Sequence, residues 1–486
     1  MSGGSPASPV PDGVPTVAEL GRVHLVGAGG AGMSVVAALL AARGLVVSGS
    51  DARPGPVLDA LAARGVTVHV GHASSNLGTA TTLVVSTAIR PDNPELLAAR
   101  DRGLRVLHRS QALAALMQDR TAVAVAGAHG KTTTSAMIAV TLAGAGLDPS
   151  YAVGGTVQAV ASPEDPAPAV GVLAGARDGH GPVFVAEADE SDGSFLAYRP
   201  TIAVVTNVEP DHLDHYGTRE AFEEAFVRFV DQVVPDGHLV ACADDPGSRE
   251  LAARTRARGR SVVTYGTGSE ADLRLEGWQA HGSGSTATLV EAGLPPVALD
   301  LTVPGLHNAR NAAAAYAAAR LLGVDGPTAA RALSTFTGTG RRFEDRGAVR
   351  GVRVVDDYAH HPTEVEALLR AARPVAGGGR VLVLFQPHLY SRTRTFAAEF
   401  AQALGLADVV VVTDVYGARE DPDPQVTGAL ITEPLRATGH DATFVPDRLE
   451  AARRIGAAAR EGDLVLTVGA GDVTTLAPEV LAAVPG

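Results

Sequence analysis

Lysine is almost absent from this sequence. Of its 40 basic residues a single one, Lys131, is a lysine, and the rest are arginines. An arginine fork suits a carboxylate pair but is too wide to replace a compact ammonium wrapped by a loop. The survivor sits in Gly130-Lys131-Thr132, a position that codon bias alone does not explain. Cysteine is as scarce. Cys242 stands alone, which excludes an intrachain disulfide and a cysteine-built zinc site and points to a reducing, cytoplasmic setting. No uninterrupted apolar stretch of about 18 residues occurs, so no membrane span is expected. Positive charge is short overall: the formal net charge is −13, which argues against nucleic acid as the main partner, since phosphate backbones need a basic face. Any phosphate must therefore be held locally. The first residues, MSGGSPASPVPDG, have neither a basic start nor an apolar core, so they are no secretory signal. Residues 1–20 read as a disordered leader.

What is present is globular. With 486 residues, 46% of them hydrophobic, the chain is too long for one compact core, and about three domains are expected. Strands alternate with glycine loops and Ala-rich helical stretches throughout, the pattern of an α/β protein with parallel sheets. The first domain, 21–119, opens with Val23–Val26, the loop Gly27-Ala28-Gly29-Gly30-Ala31-Gly32, a helix over Met33 to Arg43 and a strand ending at Asp51. This is a Rossmann-like start. The second, 120–340, opens with Ala122–Ala126 and Gly127-Ala128-His129-Gly130-Lys131-Thr132-Thr133-Thr134, followed by a helix from Ser135 to Ala145, as in a P-loop ATPase-type domain. Residues 161–181, rich in Pro, Gly and Ala, read as a long surface loop. The third, 341–486, restarts the Rossmann-like pattern at Val352–Val355, Val381–Phe385, Val409–Thr413 and Leu464–Val468.

The two loops make different demands. The first satisfies a dinucleotide fingerprint, with Asp51 where a ribose-binding acid would sit and a helix N-terminus ready for a pyrophosphate. UDP would fit as well as a dinucleotide, and the same glycines would also serve a bare strand-to-helix turn. The second loop is the shorter G-x-x-G-K-T, with Val125 where the common phosphate loop has glycine. Its small residues let the backbone wrap a polyphosphate, Lys131 supplies a point charge, and Thr132 offers a hydroxyl to magnesium. Glu187 and His212 follow the next two strands and could complete a magnesium shell, although the run Glu187-Ala188-Asp189-Glu190-Ser191-Asp192 also reads as a solvated loop. In His307-Asn308-Ala309-Arg310-Asn311 the two asparagines are three apart at a helix start; their amides match the edge of adenine, and Asn308 would equally serve as a cap.

Taken in order, Gly27 to Ser34, the G-x-x-G-K-T loop, the EADESD run, Glu209-Pro210-Asp211-His212, the HNARN segment and DDYAHHPTE at 356–364 resemble the Mur ligases over essentially everything after residue 20. The resemblance implies three domains, for a UDP-sugar, for ATP and for an amino acid. It is strongest to the branch that joins L-alanine to UDP-N-acetylmuramate in peptidoglycan synthesis, through an acyl phosphate, with ATP and Mg2+. It implies that Gly127 to Thr133 hold the ATP phosphates, that Thr132, Glu187 and His212 surround the metal, and that Lys131 steadies the developing charge. His307, Asn308 and Asn311 would meet the adenine, with Arg342 and Asp357 approaching the nucleotide. Gly29, Gly30, Ala31, Gly32, Met33, Ser34, Asp51, His72, Ser86 and Arg109 would take the UDP-sugar. Tyr358, His360, His388 and Arg392 would form the amino-acid pocket, and domain closure would exclude water from the acyl phosphate. Two departures stand out. No lysine remains for the carbamylated position of the later-acting members, and Leu389 stands where the family often has arginine. The rival readings are the murein peptide ligase, which attaches a tripeptide to the same sugar, a nucleotide-binding regulator without turnover, and a nicotinamide-dependent oxidoreductase, which would leave everything after residue 120 unexplained. A monomer or a homodimer is expected.

Overall fold

The computed structural model describes residues 13–158, 173–210, 213–418 and 420–486, except for the side chains of 213 and 214. Its contacts divide into two compact units. One comprises the chain up to Glu276 with Thr288–Leu299 and Arg310–Phe336; the other comprises Gly277–Ala287, Asp300–Ala309 and Thr337–Gly486. Among the described residues the architecture is α/β, built on three sheets. Among the described residues no helix is long and apolar enough to cross a membrane.

The first sheet has five parallel strands, β1 (Val23–Val26), β2 (Val47–Asp51), β3 (Thr67–Val70), β4 (Thr82–Val85) and β5 (Arg105–His108), in the order β3-β2-β1-β4-β5. The order reverses between β1 and β4, where open parallel sheets collect ligands beyond their carboxyl ends. The glycine loop follows β1 and Ser86 follows β4, so both lie at that reversal.

The second sheet has ten strands: β6 (Thr121–Ala126), β7 (Ser150–Ala152), β8 (Ala176–Arg177), β9 (Val183–Glu187), β10 (Ile202–Val205), β11 (His238–Cys242), β12 (Ser261–Gly266), β13 (Leu273–His281), β14 (Gly284–Glu291) and β15 (Val297–Leu301). Their order is β15-β14-β13-β12-β11-β10-β6-β9-β7-β8. The strand β6 is buried along Ala122–Ala126 and is flanked by β9 and β10, which is why it reads as an unbroken Val/Ala run rather than an alternation. The polar clusters after β6, β9 and β10 thus leave neighbouring strands on one edge. In the core of this unit Phe195, Phe222, Phe226 and Phe229 are buried, with Phe195 and Phe229 stacked at 4.9 Å. Truncating one of these rings to alanine would cost about 3–5 kcal/mol.

The expected surface loop at 161–181 is revised where it can be seen. Residues 159–172 lie outside the described set, but Leu173, Ala174 and Ala176 are buried and β8 pairs antiparallel with β7. The helix after the second glycine loop runs Lys131–Gly144, four residues earlier than the sequence pattern suggests, and the helix that carries Asn308 and Asn311 runs Leu306–Leu321.

The third sheet lies in the second unit, with β16 (Glu344–Val349), β17 (Val352–Asp357), β18 (Val381–Phe385), β19 (Val409–Val412), β20 (Asp441–Phe444) and β21 (Leu464–Val468) in the order β16-β17-β21-β18-β19-β20. Only β16 runs antiparallel, an edge hairpin that the sequence pattern leaves out.

Candidate active site

The loop after β6 owes its shape to two residues after β10. Gly127 has φ 133°, and a Cβ there would collide with the Thr206 hydroxyl, so glycine is required. Thr206 Oγ1 donates to His129 O at 2.5 Å. The Asn207 carboxamide donates to the same carbonyl at 2.9 Å and accepts from His129 N at 3.0 Å. Gly130, at φ 84°, caps the helix that begins at Lys131, and its missing Cβ leaves room for the Asn311 carboxamide. Thr206 and Asn207 were not singled out from the sequence; their place directly after a buried strand was the available signal.

Lys131 is folded onto its own loop. Its Nζ donates to Gly127 O at 2.7 Å and Ala128 O at 3.3 Å, and pairs with Glu190 Oε1 at 2.8 Å. Burial raises the Glu190 carboxyl to about 7 against the pull of Lys131. Next to it, burial of Asp189 is outweighed by the charges of Lys131 and Arg109, which hold its carboxyl at about 2. Thr132 Oγ1 lies 3.0 and 3.1 Å from the two Glu187 oxygens, and Glu187 Oε2 also accepts from Gly154 N at 2.8 Å. The Thr–Glu pair expected at a metal is therefore brought together. His212 lies outside the described residues. Thr133 is buried in the helix, and His129 Nε2 stands 3.3 Å from Glu209.

The acidic run is no solvated loop. Besides Glu187 and Glu190, Asp189 accepts from Arg109 at 3.1 Å, and Asp192 accepts from Thr87 at 3.2 Å with His108 at 3.7 Å. Glu187 through Asp192 thus touches the phosphate loop on one side and the first sheet's carboxyl edge on the other. There, a Cβ on Gly32 would collide with the Arg109 guanidinium, and Gly29 N donates to Asp51 Oδ2 at 2.9 Å. Gly30 caps the helix Ala31–Ala42, whose first turns bury Met33 and Ser34; Ser34 Oγ donates back to Ala31 O at 3.0 Å. His72 Nδ1 lies 3.0 Å from Ser50 Oγ, and Ser86 is half-buried. Asp51 braces its loop in this structure, a role the sequence did not suggest.

Asn308 and Asn311 are buried one turn apart, Asn308 Nδ2 donating to Pro304 O at 2.8 Å; His307 is half-buried. In the second unit, Asp357 ends β17 and accepts from Phe343 N and Ala359 N at 2.8 Å each. Burial raises its carboxyl to about 6 against the pull of Arg342. Arg342 lies between two left-handed residues, Arg341 (φ 58°) and Phe343 (φ 50°), with its guanidinium 5.3 Å from the Tyr358 ring centre. Tyr358 and His360 are 5.2 Å apart edge to face, and His360 and His388 6.0 Å, with Tyr416 stacked on His388 at 5.8 Å. Arg392 is buried, 8% exposed, on the short helix Tyr390–Thr395. A surface role would leave it open, so burial favours a built site. Leu389 has φ 70°, an uncommon conformation for a branched residue.

A phosphate loop with one lysine and a Thr–Glu pair beside it make a nucleotide-binding centre of the P-loop kind. The chain belongs to the Mur ligase family. Residues 22–121 match the family's catalytic domain, 125–319 its middle domain and 341–471 its glutamate ligase domain. It is 62% identical over 468 residues to the UDP-N-acetylmuramate–L-alanine ligase of Kineococcus radiotolerans, covering 96% of both chains. Among solved structures it resembles the UDP-N-acetylmuramate–alanine ligase of Thermotoga maritima, with TM-score 0.79, 31% identity and coverage of 95% and 98%. It also resembles a murein peptide ligase of Psychrobacter arcticus, with TM-score 0.70, 27% identity and the same coverage.

Proposed function

We propose that this chain joins L-alanine to the carboxylate of UDP-N-acetylmuramate at the expense of ATP, in peptidoglycan synthesis. The observation that carries the reading is the single lysine, seated in a preformed loop beside Thr132 and Glu187, in a chain 62% identical to a relative named for that activity. The likeness to the murein peptide ligase is weaker in both identity and TM-score. In the proposed division, residues 21–119 take the UDP-sugar, 120–340 take ATP and 341–486 take the amino acid. The muramyl carboxylate attacks the γ-phosphorus, the bond to ADP breaks, and an acyl phosphate forms. The alanine amine then attacks the acyl carbon, loses a proton, and phosphate leaves. Two anions must meet in the first step, so Lys131 turns from Glu190 toward the phosphates as charge develops.

The donor set fits magnesium: a hydroxyl and a carboxylate, both hard oxygens, stand together at Thr132 and Glu187. His212 is the third proposed ligand. Bound there, the ion would neutralise phosphate charge. Asn308 and Asn311 hold the adenine, with His307 beside them; Arg342 and Asp357 reach the nucleotide; Tyr358, His360, His388 and Arg392 hold alanine. The protein acts in the cytoplasm as a monomer or homodimer. Phosphate release measured with each substrate omitted in turn tests the reading. It should require UDP-N-acetylmuramate and L-alanine together. Faster turnover with the tripeptide than with alanine, or release without either acceptor, would overturn it.

A further inference from the structure

Beneath the first sheet's carboxyl edge lies a polar network centred on Glu95, a buried acid to which the proposed reaction gives no role. Glu95, on the first turn of the helix Pro94–Asp101, is 0% exposed. Ser50 Oγ donates to its Oε2 at 2.6 Å, Asn76 Nδ2 to its Oε1 at 2.6 Å and Ala73 N to Oε1 at 3.3 Å. His72 Nδ1 stands 3.3 Å from Oε2, and His24 Nε2 stands 3.7 Å from Oε1. A buried carboxylate ringed this way is held charged: burial opposes it, but the His24, Ser50 and Asn76 contacts bring it to about 2. The titratable side chains that face it are His24 from β1 and His72 from the loop after β3.

The donors fix a tautomer. A serine hydroxyl has one hydrogen, and that of Ser50 goes to Glu95. Toward His72 Nδ1, 3.0 Å away, the Ser50 oxygen can then only accept, and the ionised Glu95 can only accept as well. The hydrogen of neutral His72 therefore sits on Nδ1, and Nε2 keeps its lone pair. The His72 side chain is 22% exposed while Glu95 is fully enclosed, so the imidazole is the part of the network that a ligand can reach.

We infer that Glu95, acting with Ser50, is a positioning residue that presents His72 Nε2 as a hydrogen-bond acceptor to an N–H or O–H group of the UDP-sugar. This rests on the reading of His72 as a UDP-sugar residue. Of the ligand's parts, the phosphates carry no donor at neutral pH, so the acceptor selects the uracil, ribose or sugar portion.

Calorimetric titration of the full-length protein with UDP-N-acetylmuramate tests it, alongside titration with a non-hydrolysable ATP analogue. Glu95→Gln should weaken UDP-sugar binding about tenfold, the loss of one well-oriented hydrogen bond of about 1.4 kcal/mol, and leave analogue binding unchanged. In a His72→Ala background the same change should have no further effect. Additive losses in the double variant would overturn the inference, as would a Glu95→Gln protein that melts earlier yet binds normally. Should Glu95→Gln fail to fold, Ser50→Ala removes the shared hydroxyl and must give the same affinity loss, again absent without His72. A His72→Ala protein with wild-type affinity would instead remove His72 from the site, a separate failure.

Discussion

Replacing Glu187 by glutamine separates a metal ligand from a brace. In the structure the carboxylate joins two groups, accepting the Thr132 hydroxyl at 3.0 and 3.1 Å and the Gly154 N–H at 2.8 Å. A glutamine can keep both contacts, its oxygen taking the Gly154 N–H while its amide donates to the Thr132 oxygen. The loss is then two charge-assisted bonds weakened to neutral ones, about 1–2 kcal/mol in all. For a protein of this size the melting temperature should fall by no more than about 2–4 °C. A metal ligand loses far more. An amide in place of a carboxylate removes a unit of negative charge next to a divalent ion, and kcat should fall about a hundredfold, which corresponds to about 2.7 kcal/mol. The magnesium concentration for half-maximal rate should rise, while UDP-sugar affinity holds. Steady-state rates over a magnesium series, with a melting curve on the same preparation, make the measurement. Wild-type kcat at an unchanged magnesium requirement would refute the metal assignment and leave Glu187 as the strut between Thr132 and Gly154.

Lys131→Arg should abolish ligation although the charge is kept, because the guanidinium cannot reproduce the approach of Nζ to Gly127 O, Ala128 O and Glu190 at once; wild-type turnover would mean the lone lysine is an accident. Arg392→Ala should raise the KM for alanine roughly tenfold to a hundredfold, with ATP and UDP-sugar binding intact, and an unchanged alanine KM would remove it from the pocket. Asp357 gives a pH signature. Its folded carboxyl is raised to about 6 from an ordinary 3.8, so the stability its protonated form contributes is complete below about pH 4 and lost as pH rises through about 6. The melting temperature of Asp357→Asn relative to the wild type should therefore climb between pH 4 and 6, by the equivalent of at most roughly 3 kcal/mol, and then level off. A flat difference would mean that Asp357 is not held protonated by burial.

The sequence disclosed what local chemistry demands and hid what depends on packing. The glycine loops were legible because few residues can make such turns, and the G-x-x-G-K-T spacing carries its own mechanism. The start of the helix at Lys131 was not, since three consecutive threonines, weak helix formers, follow it; a phosphate loop places them there regardless. The outer strands of the second sheet escaped notice because β13, mostly exposed after Leu275, lacks the apolar run that marked β6. Glu190 and Glu95 are acids whose importance comes from being enclosed, and burial of a carboxylate cannot be read from its neighbours in sequence. His72 and Arg109 were reached only by resemblance, and their partners Ser50 and Asp189 are set by the fold, which brings together residues 22 and 80 positions apart.

The clasp on His129 bears on how readily nucleotide is captured. Thr206 and Asn207 hold both the N–H and the carbonyl of that residue through bonds within the chain itself. Fixing the backbone of one residue costs about 1–2 kcal/mol of conformational entropy, and the loop 127–130 has met that cost during folding. Affinity for the polyphosphate is therefore not spent on ordering the chain that receives it. Association should proceed without a slow conformational phase, and the loop should be as protected from amide exchange before nucleotide is added as after.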